Sequence, residues 1–388
     1  MALPISYNVR NIIVRWKVTL LALAGISLVV GVLIALTAMA NGFSKALAAT
    51  GSADNAIVTQ RGSASELSSG LSRDNASMIM VDSRVKRDTQ GRPMGSPEMI
   101  IVASLPKRGE TTEVNVTVRG VTQMAFSVRQ NVKITEGRNF TPGLYELVVG
   151  KKAADRYQGL EVGGSIKLQR KSWQVVGVFT SEGSGFESEV WGDYDALAPV
   201  FNRAGGYQSL TIRLADPSTL DAFNTELKAN PNMQLQMASE LQYYAGQAGQ
   251  TANVLTGLAL FVGVIMGIGA VFGAMNTMYA LVSARTREIG TLRALGFSRI
   301  SILSSFMIES AFLALVGGLL GSILALPINT LSGATGGVNF SQVAFDFRVS
   351  PLWLGVAVAG AVVMGLVGGF LPAWRAATTP ITAALRDA

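Results

Sequence analysis

Cysteine and histidine are both absent from the 388-residue sequence. Without cysteine there is no disulfide framework and no thiolate chemistry. Without histidine the commonest general base and the commonest metal ligand are missing, so an enzyme built from this chain would have to work with carboxylates, lysine or tyrosine. Charge is scarce as well. Only 15% of residues are Asp, Glu, Lys or Arg, against about 25% in an ordinary soluble domain, and mean hydropathy is +0.36. That pairing describes a membrane protein with a soluble portion. A nucleotide-binding phosphate loop is also missing. Gly150-Lys151 follows an apolar stretch, but no glycine stands at the required spacing before it and Lys152 replaces the Ser or Thr. Any ATP hydrolysis is therefore expected from another polypeptide.

The net charge is +7, and its placement says more than its sum. Residues 41–250 hold 22 basic and 21 acidic residues, and the rest of the chain holds 10 and 4. The excess lies beside the apolar runs, which argues for membrane orientation and against nucleic-acid binding. Residues 18–40 are 23 uncharged, mostly apolar residues. As a helix they span about 34 Å, enough for a hydrocarbon core of about 30 Å. Ala38-Met39-Ala40 resembles a signal cleavage site, but the run exceeds the about 7–15 residues of a signal h-region, so an uncleaved helix is expected.

From Leu241 to Ala284 there is no charge over 44 residues, about 66 Å as one helix and roughly twice the membrane core. Its first part is polar enough for water and its second part is apolar. One helix that rises out of the membrane is expected, with a break near Gly246 or Gly249 as the alternative. Residues 300–326 form a third span, ended by Pro327, and 352–372 a fourth. The boundaries read as an N-terminal segment 1–17, helix one 18–42, an extracytoplasmic α+β domain 43–245, and a stalk with helix two 246–282. A connector 283–299, helix three 300–327, a polar loop 328–351, helix four 352–372 and a tail 373–388 follow. Four spans put both termini and the connector on one side. Those pieces hold Arg10, Arg15, Lys17, Arg285, Arg287, Arg293, Arg299, Arg375 and Arg386 against Glu288 and Asp387. The positive-inside rule makes that side cytoplasmic.

In the soluble part, β-type runs at 56–59, 78–81, 99–105, 114–121, 147–149, 165–168, 173–179 and 209–214 are separated by turn signals such as Lys107-Arg108-Gly109 and Gly163-Gly164. Residues 217–229 read as an amphipathic helix capped by Asp216 or Ser218. Glu182, Glu187, Glu189, Asp193 and Asp195 follow a strand and read as a solvated loop in preference to a metal site. No catalytic, cofactor or metal constellation is evident.

The connector carries the strongest signal. In residues 275–300, MNTMYALVSARTREIGTLRALGFSRI, an apolar run turns abruptly basic. Ile289, Leu292 and Leu295 recur every three residues, which suits one face of a short helix. Gly296 is placed to stop that helix and Ser298 to cap the next. The bland reading is a charged loop that fixes topology, and the sharper one is a docking element for a cytoplasmic partner. Glu309 is an acid inside the third span, a costly placement that implies a contact with a neighbouring helix or the connector. Gly263/Gly267, Gly269/Gly273, Gly317/Gly321 and Gly365/Gly369 are GxxxG pairs, which favour close helix packing and self-association.

These segments together resemble the permease subunit of MacB/FtsX-type ABC transporters, the type VII or mechanotransmission class. The match rests on residues 275–299, on IESAFLALVGGLLG at 308–321, on GGFLPAWRAATTPITAALR at 368–386 and on the first helix at 8–36. WQVVGVF at 173–179 gives a looser likeness to the family's outer domain. The resemblance implies a bacterial cytoplasmic (inner) membrane protein that pairs with a second permease protomer, identical or paralogous. It implies a cytoplasmic ABC ATPase subunit holding ATP and Mg, and a separate one, since the chain starts about 17 residues before its first helix. Arg285, Arg287, Glu288, Ile289, Leu292, Arg293 and Leu295 are then expected to make or support the ATPase contact. The work implied is efflux through a periplasmic adaptor and outer-membrane duct. LolCDE-like extraction of lipoprotein or lipid from the outer leaflet is the alternative, and FtsX-like regulation of cell-wall hydrolases without transport ranks third.

Overall fold

The computed structural model describes residues 16–336 and 341–382. Arg10, Arg15, Arg386 and Asp387, used in the positive-inside argument, lie outside the described residues. In chain order the structure runs α1 (Trp16–Ala48), β1 (Asn55–Gln60), β2 (Leu71–Ser72), α2 (Arg73–Val81), β3 (Gly95–Pro106), β4 (Glu113–Val121), α3 (Ala125–Val128), β5 (Lys133–Gly137) and β6 (Glu146–Gly150). It continues with α4 (Lys151–Arg156), β7 (Ser165–Leu168), β8 (Lys171–Thr180), β9 (Val190–Asp193), α5 (Tyr194–Val200), β10 (Gly206–Tyr207), β11 (Ser209–Arg213), α6 (Leu220–Ala229) and β12 (Leu235–Ser239). The last part is α7 (Glu240–Ser283), α8 (Thr286–Ala294), α9 (Arg299–Ala325), β13 (Ser332–Gly336), β14 (Gln342–Asp346) and α10 (Pro351–Thr378). Four of these helices, α1, α7, α9 and α10, are long and apolar enough to cross a membrane, and the α+β domain is inserted between the first two.

The chain divides into two compact units. One comprises residues 1–41, 254–331 and 347–388, and the other comprises 42–253 and 332–346. In the first, small residues let the helices approach. A Cβ on Gly317 would lie 3.0 Å from Ile26 Cβ, and one on Gly321 would lie 2.5 Å from the Ser27 carbonyl. Ser27 Oγ donates to the Gly317 carbonyl at 2.8 Å. Gly365 and Gly369 face Ser310 and Ala314 of α9, and Ser310 Oγ donates to the Gly365 carbonyl at 2.5 Å. Gly263 abuts Leu33 Cδ1 and Gly267 abuts Met364 Sδ, whereas Gly269 and Gly273 face open space. Helix α7 continues unbroken through Gly246 and Gly249 for 44 residues.

The second unit is built on a ten-stranded sheet of order β12-β1-β11-β3-β4-β9-β6-β8-β5, with β7 added to β8. Its pairings are antiparallel except β4 with β9 and β6 with β8. Strands β1, β11 and β12 pack with α2 and α6 around Ile79, Ile212, Phe223 and Met237. The β4–β9–β6–β8 part has a core on each face, one around Trp173 and one around Trp191. Asp216 accepts from the Ser218 N–H just before α6, as expected of a cap.

Two expectations are corrected here. Residues 78–81, expected as a strand, are the last turn of α2. Ser72 caps that helix by accepting from the Asn75 N–H at 3.2 Å. Ala76 and Ile79, three residues apart, are buried while Met78 and Val81 are exposed, a helical and not an alternating pattern. Residues 328–351, expected as a polar loop, contain the β13–β14 hairpin. Its Phe345 is buried edge-on against Phe43, with ring centroids 5.8 Å apart. The Ala344 N–H donates to Ser188 Oγ at 2.8 Å.

Candidate functional site

The connector is a corner, a short helix and a stop. Helix α7 ends at Ser283, and Arg285 is the corner residue, with φ −119° and ψ 11°. After Ala294 the chain closes with a Gly296 N–H bond to the Arg293 carbonyl and a Phe297 N–H bond to the Leu292 carbonyl. That is a Schellman ending, and Gly296 takes the positive φ of +94° it needs. Ser298 Oγ then accepts from the Ser301 N–H at 3.2 Å and caps α9.

The residues expected to form one contact surface divide into two groups. Arg285 is buried, and its Nη1 donates to Glu309 Oε2 at 3.1 Å. The guanidinium also lies 5.8 Å from the Phe306 ring centroid. The acid of the third span thus meets the corner of the connector. Arg293 donates to the Thr379 carbonyl at 2.7 Å, just past the end of α10. Ile289 is buried with Met278, Ile302, Phe306 and Ala376, and Leu292 packs at the edge of that cluster. These four residues hold α8 in place. Arg287, Glu288, Thr291 and Leu295 are exposed. Leu295 departs from the expected shared face: it is 73% exposed, whereas Ile289 is 4% exposed. Three residues advance a helix by about 300°, so an every-third row drifts by about 60° per step and has left the buried face after two.

Sequence reasoning missed a second constellation altogether. In the soluble unit, Arg119 donates to Glu66 at 2.9 Å, to Glu98 at 2.8 Å and to Glu189 at 2.7 Å. Arg129 donates to Glu240 Oε1 at 2.9 Å and to Thr211 Oγ1 at 2.8 Å, and it grips both oxygens of Glu98. Tyr244 donates to Glu66 at 3.1 Å and Ser209 donates to it at 2.8 Å. Phe186 lies under both guanidiniums, 4.8 Å from Arg129 and 5.3 Å from Arg119. Burial alone would push the Glu66 carboxyl up, but the Arg119 charge and the bonds from Arg119 and Ser209 outweigh it and hold its pKa below the ordinary range. Both arginines are shifted up, burial being overcome by the surrounding carboxylates.

This cluster corrects the reading of the acidic run. Glu182 and Asp195 are exposed, but Glu187 and Asp193 are buried, and Glu189 serves Arg119 and accepts from Trp191 Nε1 at 2.7 Å. Glu187 Oε1 accepts the N–H groups of Ser181 and Gly183, each at 2.8 Å. Asp193 accepts from the Gly143 N–H at 2.8 Å, and burial pushes its pKa up. Among the described residues no group of three His, Cys, Asp or Glu side chains is arranged to hold a metal ion.

Residues 19–230, more than half of the chain, match the MacB-like periplasmic core domain, and residues 260–381 match the FtsX-like permease C-terminal domain. The chain belongs to the MacB/FtsX family of ABC transporter permeases. It is 32% identical over 310 residues to the macrolide export ATP-binding/permease protein MacB of Agrobacterium fabrum, covering 74% of this chain and 46% of that protein. To the pyoverdine export ATP-binding/permease protein PvdT of Pseudomonas fluorescens it is 29% identical over 328 residues, covering 74% and 47%. The chain thus spans about half the length, or less, of the curated relatives it matches. The crystal structure of the periplasmic region of MacB from Actinobacillus actinomycetemcomitans aligns with 53% of this chain and 94% of its own at 13% identity and a TM-score of 0.38. That structural likeness is too low to bear on the argument. In this family the four apolar helices make an inner-membrane protein with the α+β domain as its periplasmic core.

Proposed function

We propose that this permease couples ATP hydrolysis, carried out by a nucleotide-binding domain outside these 388 residues, to conformational work by the α+β domain beyond the membrane. The observation that carries the reading is the α7–α8 corner. A helix of 44 residues, uncharged after its first residue, turns directly into a short helix fixed by Arg285, Ile289, Leu292 and Arg293. That helix presents Arg287, Glu288, Thr291 and Leu295 outward. Those four residues form the docking face for the ATPase. The connector and both termini lie in the cytoplasm, where the basic residues favour them. A second permease protomer completes the assembly, and ATP and Mg are held by the ATPase.

Export is the work that fits best, because the relatives above bear the names macrolide export and pyoverdine export. In that reading a periplasmic adaptor and an outer-membrane duct complete the path. Lipoprotein or lipid extraction and regulation of cell-wall hydrolases rank behind it, with no observation of their own in favour. The test is purification of the tagged chain from its native membranes in mild detergent. Vanadate-sensitive ATP hydrolysis that stays with the chain is expected, together with loss of that association in a Glu288→Arg, Leu295→Asp double variant. A wild-type preparation without any nucleotide-binding component would refute the proposal.

A further inference from the structure

Gly368 marks where α7 and α10 touch. A Cβ there would lie 2.8 Å from the Val271 carbonyl and 3.1 Å from Ala274 Cβ. Further along both helices, Arg375 of α10 stands over Tyr279 of α7, its guanidinium carbon 5.9 Å from the ring centroid. Tyr279 is half-buried and Arg375 is exposed, so the ring supports the guanidinium from one side and leaves its N–H groups accessible. The end of α10 does not use that charge. The Arg375 carbonyl accepts from the Thr379 N–H at 3.1 Å and from Thr379 Oγ1 at 2.8 Å, and the Thr379 carbonyl accepts from Arg293. Among the described residues no carboxylate pairs with Arg375.

Beside this arginine, α10 carries an apolar stripe on the side opposite its buried Ala361, Gly365 and Gly368. Val363, Val367, Phe370 and Trp374 are each 45% to 58% exposed. The Phe370 and Trp374 rings stack, with centroids 6.1 Å apart and planes at 30°. From Val363 to Trp374 the stripe is about 16 Å long, close to half of a hydrocarbon core of about 30 Å. Trp374 closes it at the end where aromatic side chains gather in membrane proteins, the level of the headgroups.

We propose that this end of the α7–α10 pair binds an anionic phospholipid, with its phosphate on Arg375 and an acyl chain along the stripe from Trp374 to Val363. The site is separate from the docking face of α8 and does not depend on which leaflet that face adjoins. A guanidinium backed by an aromatic ring keeps its planar fork for phosphate oxygens and is weakly hydrated. Basic pockets between membrane helices suit anionic headgroups for that reason. A zwitterionic lipid would bring its own cation against Arg375. A soluble phosphate would meet the same arginine and gain nothing from Phe370 and Trp374.

Native mass spectrometry of the full chain, titrated with phosphatidylglycerol or with phosphatidylcholine of the same acyl chains, tests the assignment. Wild type is expected to bind phosphatidylglycerol at least about fivefold more tightly, the factor that one arginine contributes at an anionic surface. Arg375→Gln is expected to bring the two lipids to within about twofold of each other. Arg299→Gln removes another exposed charge, at the start of α9, and is expected to leave the preference in place. Should Arg375→Gln melt well below wild type, Arg375→Lys replaces it. That point charge without the planar fork is expected to keep no more than about half of the preference. No preference in wild type, an unchanged preference in Arg375→Gln, or an equal loss in Arg299→Gln overturns the site. Displacement of the bound lipid by millimolar inorganic phosphate also overturns it and assigns Arg375 to a soluble anion. A disulfide-linked dimer of single-cysteine Val367→Cys in phosphatidylglycerol vesicles overturns it too, and assigns the stripe to a second copy of the chain.

Discussion

Replacing Arg129 by methionine tests whether the buried cluster of the soluble unit is held together by its arginines. Arg129 is 1% exposed and serves Glu98, Glu240 and Thr211. Methionine fills much of the volume but leaves the buried Glu240 without its guanidinium and Glu98 with that of Arg119 alone. Removing one partner of a buried pair costs about 3–5 kcal/mol, a factor of roughly 10² to 10⁴ in the folding equilibrium. That is a large part of the about 5–15 kcal/mol available to a domain. With a urea m-value of about 2–3 kcal/mol/M, the midpoint should fall by roughly 1–2 M. Trp173 and Trp191 report on this unit, since both are buried in it and the indole N–H of Trp191 bonds Glu189, which also serves Arg119. The assay is urea unfolding of the full chain in nanodiscs followed by tryptophan fluorescence. A midpoint within about 0.3 M of wild type, below 1 kcal/mol at that slope, would show that the cluster relaxes around the loss and that the charges are not holding it.

Other outcomes follow from the same contacts. Arg138, hydrogen bonded to Glu146, holds that carboxyl at about 2, below its ordinary 4.5. A depressed carboxylate stabilises the fold above its unfolded value and loses that effect as pH falls, so Glu146→Gln should flatten the acid side of the stability profile between pH 4.5 and about 2, read by thermal melting. Gly321→Val should force α1 and α9 apart at Ser27, costing about 1–3 kcal/mol, whereas Gly269→Ala should melt like wild type. Phe345→Ala should cost about 3–5 kcal/mol and raise exchange in β13 and β14, because its ring packs against Phe43.

The membrane helices are legible in the sequence because each is a long run with one dominant physical requirement. The sheet is legible where a strand is long and apolar, as at β3, β4 and β8, and less so where pairing partners decide. Strand β9 has four residues and exists because β4 and β6 flank it, and β12 exists because β1 does. The 78–81 run misleads because methionine and isoleucine suit either conformation locally, and the Ser72 cap decides for the helix. The connector is half legible. Its helix and its stop follow from Gly296, Ser298 and the apolar spacing. The division into residues that hold the helix and residues that face outward depends on Glu309 and Thr379, far along the chain. The buried cluster is not legible at all. Glu66, Glu98, Arg119, Arg129, Glu189 and Glu240 look like ordinary surface charges until the fold gathers them, and the even charge balance of residues 41–250 hides them further.

The central claim is that the outward face of α8 receives an ATPase, and the cysteine-free chain permits a direct measurement. Permeases with single cysteines at Arg287, Thr291 and Leu295, and at the buried Ile289 and Ile302, are each treated with a benzophenone maleimide before the ATPase is added. The account predicts ATPase adducts from the three exposed positions and none from the two buried ones. Adducts from Ile289→Cys as strong as those from Leu295→Cys, or no ATPase adduct from any exposed position of a complex that hydrolyses ATP, would contradict it.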